Sequence, residues 1–418
     1  MPKLSSYKST LKKYFRHRTF RNIGFLTIGQ GLAQVVSLVG AFYIPRLLGP
    51  EKYGIYQTVI AYVGMFTVFT FSGLNKVILR ESSRNLDKIK EILEATVGLK
   101  HLFSLFAIII STVIALFIDY EKGTKLYISL FSFSLWFKAM ESTFNVVYQA
   151  NEKMKYIAIL SFIKPLMIVP LSILFLHLGY GVSTLIIINL TITGLAVLIN
   201  YFISKKFIVF TVFSKIKLIK SYLTQGFNFS LISFLNMLST KIDIFMLSIL
   251  TTPEKVGIYA LAFRIVQKGL LIRRPISTAL FPYYTKRNNK NTLSTRELIK
   301  HSFLIIVPSL ILIGIVLLTS EWIITTVVGN KYIQSASILN VLIFYLILNY
   351  LLIPWGLYLQ TNYNERIVIN ISMIVAIINI ILNIVLFYKF GLIGIAYSTL
   401  ITYLINVFLN IYFVYKSK

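Results

Sequence analysis

The chain has 418 residues, 56% of them hydrophobic and only 13% charged, with a net charge of +28 and a mean hydropathy of +0.76. Soluble domains carry about 25% charged residues, so a soluble globule is excluded and little chain is left for an extramembrane catalytic domain. Cysteine is absent, which removes disulfides, thiolate nucleophiles and Cys-based metal sites. The four histidines (His17, His101, His177, His301) lack ligand spacing, so no metal and no other cofactor is expected.

Taken in chain order, the first 21 residues hold seven Lys/Arg and no apolar core, unlike a cleavable signal peptide. The next run, 22–45, is uncharged and passes the roughly 20 residues a helix needs to cross a bilayer. Spans two and three fall at 53–75 and 101–118, with Lys100 at a span end where a lysine snorkels to the interface. Span four, 125–148, contains Lys138 and Glu141. The stretch 156–204, whose one charge is Lys164, is divided into spans five and six by Gly179-Tyr180-Gly181. Next comes a basic segment, 205–220, in which Phe207–Phe213 reads as a short interfacial helix.

Span seven, 223–250, carries Lys241 and Asp243. Span eight, 256–283, carries Arg264, Lys268, Arg273 and Arg274, and Pro275 is expected to kink it. Windows 301–320, 335–358, 367–388 and 391–414 supply the last four. Backbone polar groups in a bilayer must be satisfied within the segment, so these runs are helices. The fold class is an all-α integral membrane protein with about twelve transmembrane helices.

Lys/Arg asymmetry sets the orientation. With the N-terminus cytoplasmic, that side receives 27 basic residues, the other side 7, and eight lie within spans. Both termini are therefore expected in the cytoplasm. The net charge is a topology signal that also attracts anionic membrane lipids, and it does not call for nucleic acid.

The chain repeats itself. Residues 50–56, Pro-Glu-Lys-Tyr-Gly-Ile-Tyr, match 253–259, Pro-Glu-Lys-Val-Gly-Ile-Tyr, at six of seven positions. Tyr148-Gln149-Ala150-Asn151 corresponds to Leu359-Gln360-Thr361-Asn362, and the Gly179/Gly181 turn with Ser183-Thr184 to Gly391/Gly394 with Ser398-Thr399. The offsets stay between 203 and about 212 along the chain. Spans one to six thus correspond to spans seven to twelve. An even number of spans per copy makes the repeat parallel, with the usual site in the cavity between halves. The expected organisation is two pseudo-symmetric six-helix bundles, 1–204 and 221–418, joined by the basic linker 205–220.

Arg46-Leu-Leu-Gly-Pro-Glu-Lys-Tyr-Gly-Ile-Tyr56 and Ser72-Gly-Leu-Asn-Lys-Val-Ile-Leu-Arg80 resemble the hallmark turns of Wzx-type polysaccharide and O-antigen flippases. These belong to the multidrug/oligosaccharidyl-lipid/polysaccharide (MOP) exporter superfamily. The resemblance implies a non-enzymatic flippase for an undecaprenyl-diphosphate-linked oligosaccharide in the bacterial cytoplasmic membrane. It also implies contact with membrane lipids and with the polymerase and other polysaccharide-assembly proteins. The sugar is not specified.

Ionisable groups within a bilayer are functional candidates by default. Lys138, Lys164, Lys241, Arg264, Lys268, Arg273 and Arg274 stand against Glu141 and Asp243. An excess of cations suits a diphosphate, and the candidate substrate-binding residues are Arg264, Lys268, Lys241, Arg274, Lys164 and Lys138. Arg264 and Lys268 lie about 12 and 18 Å below the outer end of span eight and, four apart, share a face. At an offset of 203, Arg264, Lys268, Arg273 and Arg274 face Ala61, Met65, Thr70 and Phe71 in the first copy, so the fold itself does not require charge there.

Structural readings stand beside these. Lys138 and Glu141, three apart, either neutralise each other or serve substrate. Asp243 and Arg264 lie at similar depth and either pair or act separately, with Asp243 and Glu141 as candidate ion-coupling groups. Arg273 and Arg274 also read as capping the helix near the lipid headgroups, and on an ideal helix Arg273 points about 180° from Arg264. Lys268 is the cation least explained by structure. Two other classes remain: a drug or ion exporter of the same superfamily, expected to centre on membrane acids, and a membrane polysaccharide polymerase, expected to carry a large external loop.

Overall fold

A computed structural model describes residues 18–71, 73–84, 89–205, 216–288, 293–361 and 365–417. All regular elements among the described residues are helical. They are α1 (Arg18–Met65), α2 (Leu74–Arg84), α3 (Ile89–Phe117), α4 (Lys122–Ala150), α5 (Met154–His177), α6 (Val182–Ser204) and α7 (Ile216–Leu250). Then follow α8 (Pro253–Gly269), α9 (Arg273–Asn288), α10 (Thr295–Ile323), α11 (Gln334–Leu342), α12 (Tyr345–Thr361), α13 (Glu365–Phe390) and α14 (Leu392–Ser417). The proposed helix Phe207–Phe213 lies outside the described residues.

Nine stretches are long and apolar enough to cross a membrane among the described residues. The first of them holds two passes, since α1 folds at Gly49, whose φ of 73° and ψ of 169° lie outside the helical region. Only glycine enters that region without strain, and Pro50 then opens the second arm of α1 at the position helices tolerate best. With α4 and the α8–α9 pair the passes number twelve. The protein is a multi-pass membrane protein. Accordingly its outward surface is apolar: Phe117 is 86% and Leu318 89% exposed, positions that face lipid.

By packing, the chain divides into two compact units, Met1–Gly40 with Val63–Ser233 and Ala41–Tyr62 with Phe234–Lys418. In the first, small polar residues let helices approach closely: Ser111 and Ser132 join α3 to α4 at 3.0 Å, and Gly29 of α1 packs on the backbone of Ala158 in α5. Leu74, Ile78, Leu93, Val97, Val146 and Val147 form a core between α2, α3 and α4.

The second unit explains why the packing boundary differs from the sequence halves 1–204 and 221–418. The two copies of the repeated turn pack on each other. A methyl group at Gly54 would run into the carbonyl oxygen of Pro253, and one at Gly257 into that of Pro50. Positions 50 and 253, like 54 and 257, are equivalents in the repeat, so the contact is reciprocal. Arg46 donates to the carbonyl of Val327 at 3.0 Å, and Tyr332 donates to that of Pro45 at 3.1 Å. These bonds fasten the first turn into the second unit.

Span eight is not one kinked helix. A 3-10 segment, Leu270–Ile272, separates α8 from α9. The break precedes Pro275, which sits in the first turn of α9, where its missing N–H is harmless.

Candidate functional site

In the second unit α8 turns an apolar face inward through Val256, Tyr259, Ala260, Phe263 and Val266. Arg264 and Lys268 occupy a half-buried flank one turn apart. The Arg264 guanidinium lies beside the hydroxyls of Tyr53 and Tyr56 on the second arm of α1. Lys241 of α7 and Lys268 both lie within electrostatic reach of Arg264. Three of the predicted cations therefore gather in one place. Tyr53 is fully buried and Gln57 is 6% exposed, yet Gln57 Nε2 has no hydrogen-bond partner and Tyr53 Oη has none besides the Arg264 guanidinium.

Asp243, also on α7, is 2% exposed. Its carboxylate accepts hydrogen bonds from Tyr259 Oη at 3.0 Å, Thr399 Oγ1 at 2.9 Å and Asn383 Nδ2 at 2.9 Å. Asn379, one turn from Asn383 on α13, donates to Thr402 and accepts from Asn383. The suggested Asp243–Arg264 pair does not form. Among the described residues every hydrogen-bond donor to Asp243 is neutral, because α7 directs Asp243 toward α13 and α14 while Arg264 turns toward α1.

The remaining candidates fall in the first unit or on α9. Glu141 of α4 pairs with Lys164 of α5 at 2.7 Å, so Lys164 rather than Lys138 supplies the 2.7 Å ion pair of Glu141. Exposed Lys138 lies over the ring of Phe131. The side chain of Arg274 lies outside the described ones. Arg273 Nη1 donates to Asn349 Oδ1 of α12 at 2.9 Å, so a neighbouring helix holds its guanidinium. The 3-10 segment advances the chain by about 120° per residue rather than 100°, which defeats a register extrapolated from Arg264. Lys100 does not snorkel. It is fully buried and donates to Thr143 Oγ1 at 2.8 Å and, over a short contact, to Asn75 Oδ1.

Sequence reasoning passed over Tyr53, Tyr56, Gln57, Tyr259, Asn379 and Asn383, which are uncharged. A pair of asparagines at i and i+4 in span eleven was the available signal. Ser398-Thr399 was noted only as part of a repeated turn, but Thr399 lies inside α14, facing Asp243.

Twelve passes and a repeated half define a polytopic membrane protein. The family model described as "Polysaccharide biosynthesis protein" matches residues 19–288, and the chain belongs to that family. It is 26% identical over 346 residues, 77% of this chain and 78% of the other, to an Escherichia coli (strain K12) protein named "Putative O-antigen transporter". Two solved structures share the fold. "Lipid II flippase MurJ, inward closed conformation" has a TM-score of 0.75 at 18% identity and covers 94% of this chain and 87% of that one. An inward-facing multidrug resistance MATE family transporter of the MOP superfamily has a TM-score of 0.73 at 16% identity, covering 93% and 97%. The Wzx-type resemblance of the first two turns agrees with these matches.

Proposed function

We propose that this chain is a flippase carrying an undecaprenyl-diphosphate-linked oligosaccharide repeat unit across the bacterial cytoplasmic membrane. The product feeds synthesis of a surface polysaccharide: O-antigen, capsule or exopolysaccharide. The observation that carries this reading is the cluster of Arg264, Lys241 and Lys268. Three cations held together inside a membrane repel one another and strongly favour an anion, and a diphosphate matches their donors. The names of the O-antigen relative and the lipid II flippase support the same substrate class.

In this reading the two six-helix halves, 1–204 and 221–418, alternately open a cation-lined cavity to either side. Lys268 holds the diphosphate and Arg264 guides it. Arg274 attracts it at the cytoplasmic mouth, with Lys138 and Lys164 as further contacts. Both termini and the linker 205–220 face the cytoplasm, and the polymerase and its partner proteins receive the product outside. Asp243, held by neutral donors, is the better ion-coupling group, since Glu141 is engaged with Lys164. The test is export in a strain lacking its own flippase, followed as surface polysaccharide. Lys268→Ala is expected to stop it at unchanged protein level, and normal polysaccharide from this variant would end the anion reading.

A further inference from the structure

Buried polar atoms in folded proteins have partners in the great majority of cases, and each exception asks for an explanation. Two of the exceptions here occur together. Gln57 Nε2 is unpartnered and Tyr53 Oη meets only the Arg264 guanidinium, which offers its hydrogen no acceptor, and the residues are four apart in the second arm of α1, hence on one helical face. Tyr53 adjoins the guanidinium of Arg264, which is itself in reach of Lys241 and Lys268.

Arginine and lysine offer only donors, so none of these cations can accept the phenolic or amide hydrogens. The nearest aromatic neighbour does not fill the role either: Tyr332 packs edge-on against the Tyr53 ring and gives its own hydroxyl hydrogen to Pro45. What the Tyr53 and Gln57 hydrogens lack is an acceptor, and beside Arg264, Lys241 and Lys268 an anion supplies one.

We propose that Tyr53 and Gln57 are neutral donors of a phosphate-oxygen subsite that they share with Arg264, Lys241 and Lys268. The subsite takes the diphosphate of the substrate, so the inference rests on the flippase reading. Each diphosphate oxygen accepts from more than one direction, and an unmet phosphate oxygen away from water is expensive. Neutral donors complete the shell without adding repulsion among the cations. They are specificity-determining residues: they reward a ligand rich in acceptors and give nothing to a cation or an apolar drug.

A purely structural role predicts the opposite of a binding role. Removing the unpartnered Gln57 amide relieves a desolvation penalty, so Gln57→Leu should leave the melting temperature unchanged or raise it, while Tyr53→Phe also takes an oxygen away from Arg264. Removing a donor from a charged ligand weakens binding, here by about tenfold or more per variant. The purified full chain in detergent micelles would be titrated calorimetrically with inorganic pyrophosphate and, separately, with undecaprenyl diphosphate. Wild type is expected to bind both, and each variant to lose affinity for both, Gln57→Leu at undiminished melting temperature. Unchanged affinity in both variants, while Lys268→Ala loses it, would overturn the inference and leave the flippase reading in place. Loss confined to undecaprenyl diphosphate would also overturn it, since the residues would then recognise the carrier lipid and not its diphosphate. Wild type binding neither probe would overturn both readings.

Discussion

Replacing Lys268 separates charge from shape. Lys268→Arg is expected to retain part of the export that Lys268→Ala loses, because the charge survives while a planar fork replaces a compact ammonium. Met65→Lys, which puts a cation at the equivalent position of the first copy, should not rescue Lys268→Ala. Asp243→Asn keeps the size of the side chain and removes its charge. It should leave pyrophosphate binding near wild type and abolish the dependence of export on the coupling ion, measured as transport into vesicles with and without an imposed proton or cation gradient. A loss of pyrophosphate binding would instead make Asp243 part of the anion site.

Lys100 gives a stability test. Among the described residues the acceptors of its ammonium, Asn75 and Thr143, are neutral. Taking an acceptor from a buried charge is more damaging, at about 3–5 kcal/mol, than replacing the charge with an apolar side chain of similar shape. Asn75→Leu should therefore lower the melting temperature more than Lys100→Met. At this scale the sequence was half legible. Charges in apolar runs announced Arg264, Lys268, Lys241 and Asp243. The partners of Asp243 are uncharged and lie 140 to 156 positions away at Asn383 and Thr399, so no local pattern connected them.

At the scale of elements, helix periodicity held wherever a helix was continuous and failed where it broke. The face shared by Arg264 and Lys268 was read correctly because α8 runs unbroken to Gly269. Between Arg264 and Arg273 the ideal-helix register does not carry through, because three residues of 3-10 geometry intervene. The bend in α1 makes a sharper prediction. Gly49→Ala places a Cβ where φ is 73° and ψ 169°, a strain of about 1–3 kcal/mol, and should lower the melting temperature although no neighbouring atom lies in its way. Gly54→Ala and Gly257→Ala meet backbone instead. Each should destabilise by about 1–3 kcal/mol through overpacking. Because the two glycines share one contact, the double variant should lose less than the sum of the two single ones. Full additivity in thermal unfolding would mean that the turns do not rest on each other.

For the whole molecule, the asymmetry of 27 basic residues to 7 predicts that cysteines placed at Ser5 and Ser214 resist a membrane-impermeant thiol reagent in intact cells. The chain has no cysteine of its own, so any labelling before lysis would overturn the orientation. The number of passes was legible because hydrocarbon thickness imposes a length on every one of them. How the passes group by packing was not, since hydropathy counts crossings without recording which ends touch. The reciprocal seating of Gly54 on Pro253 and of Gly257 on Pro50 is the geometry of an isologous contact, in which residue i meets j while j meets i. Within one polypeptide it is what a symmetric homodimer becomes after its gene is doubled and fused. A single copy of this turn carries the surface to recognise itself, and a side chain added at either glycine misfits the other copy.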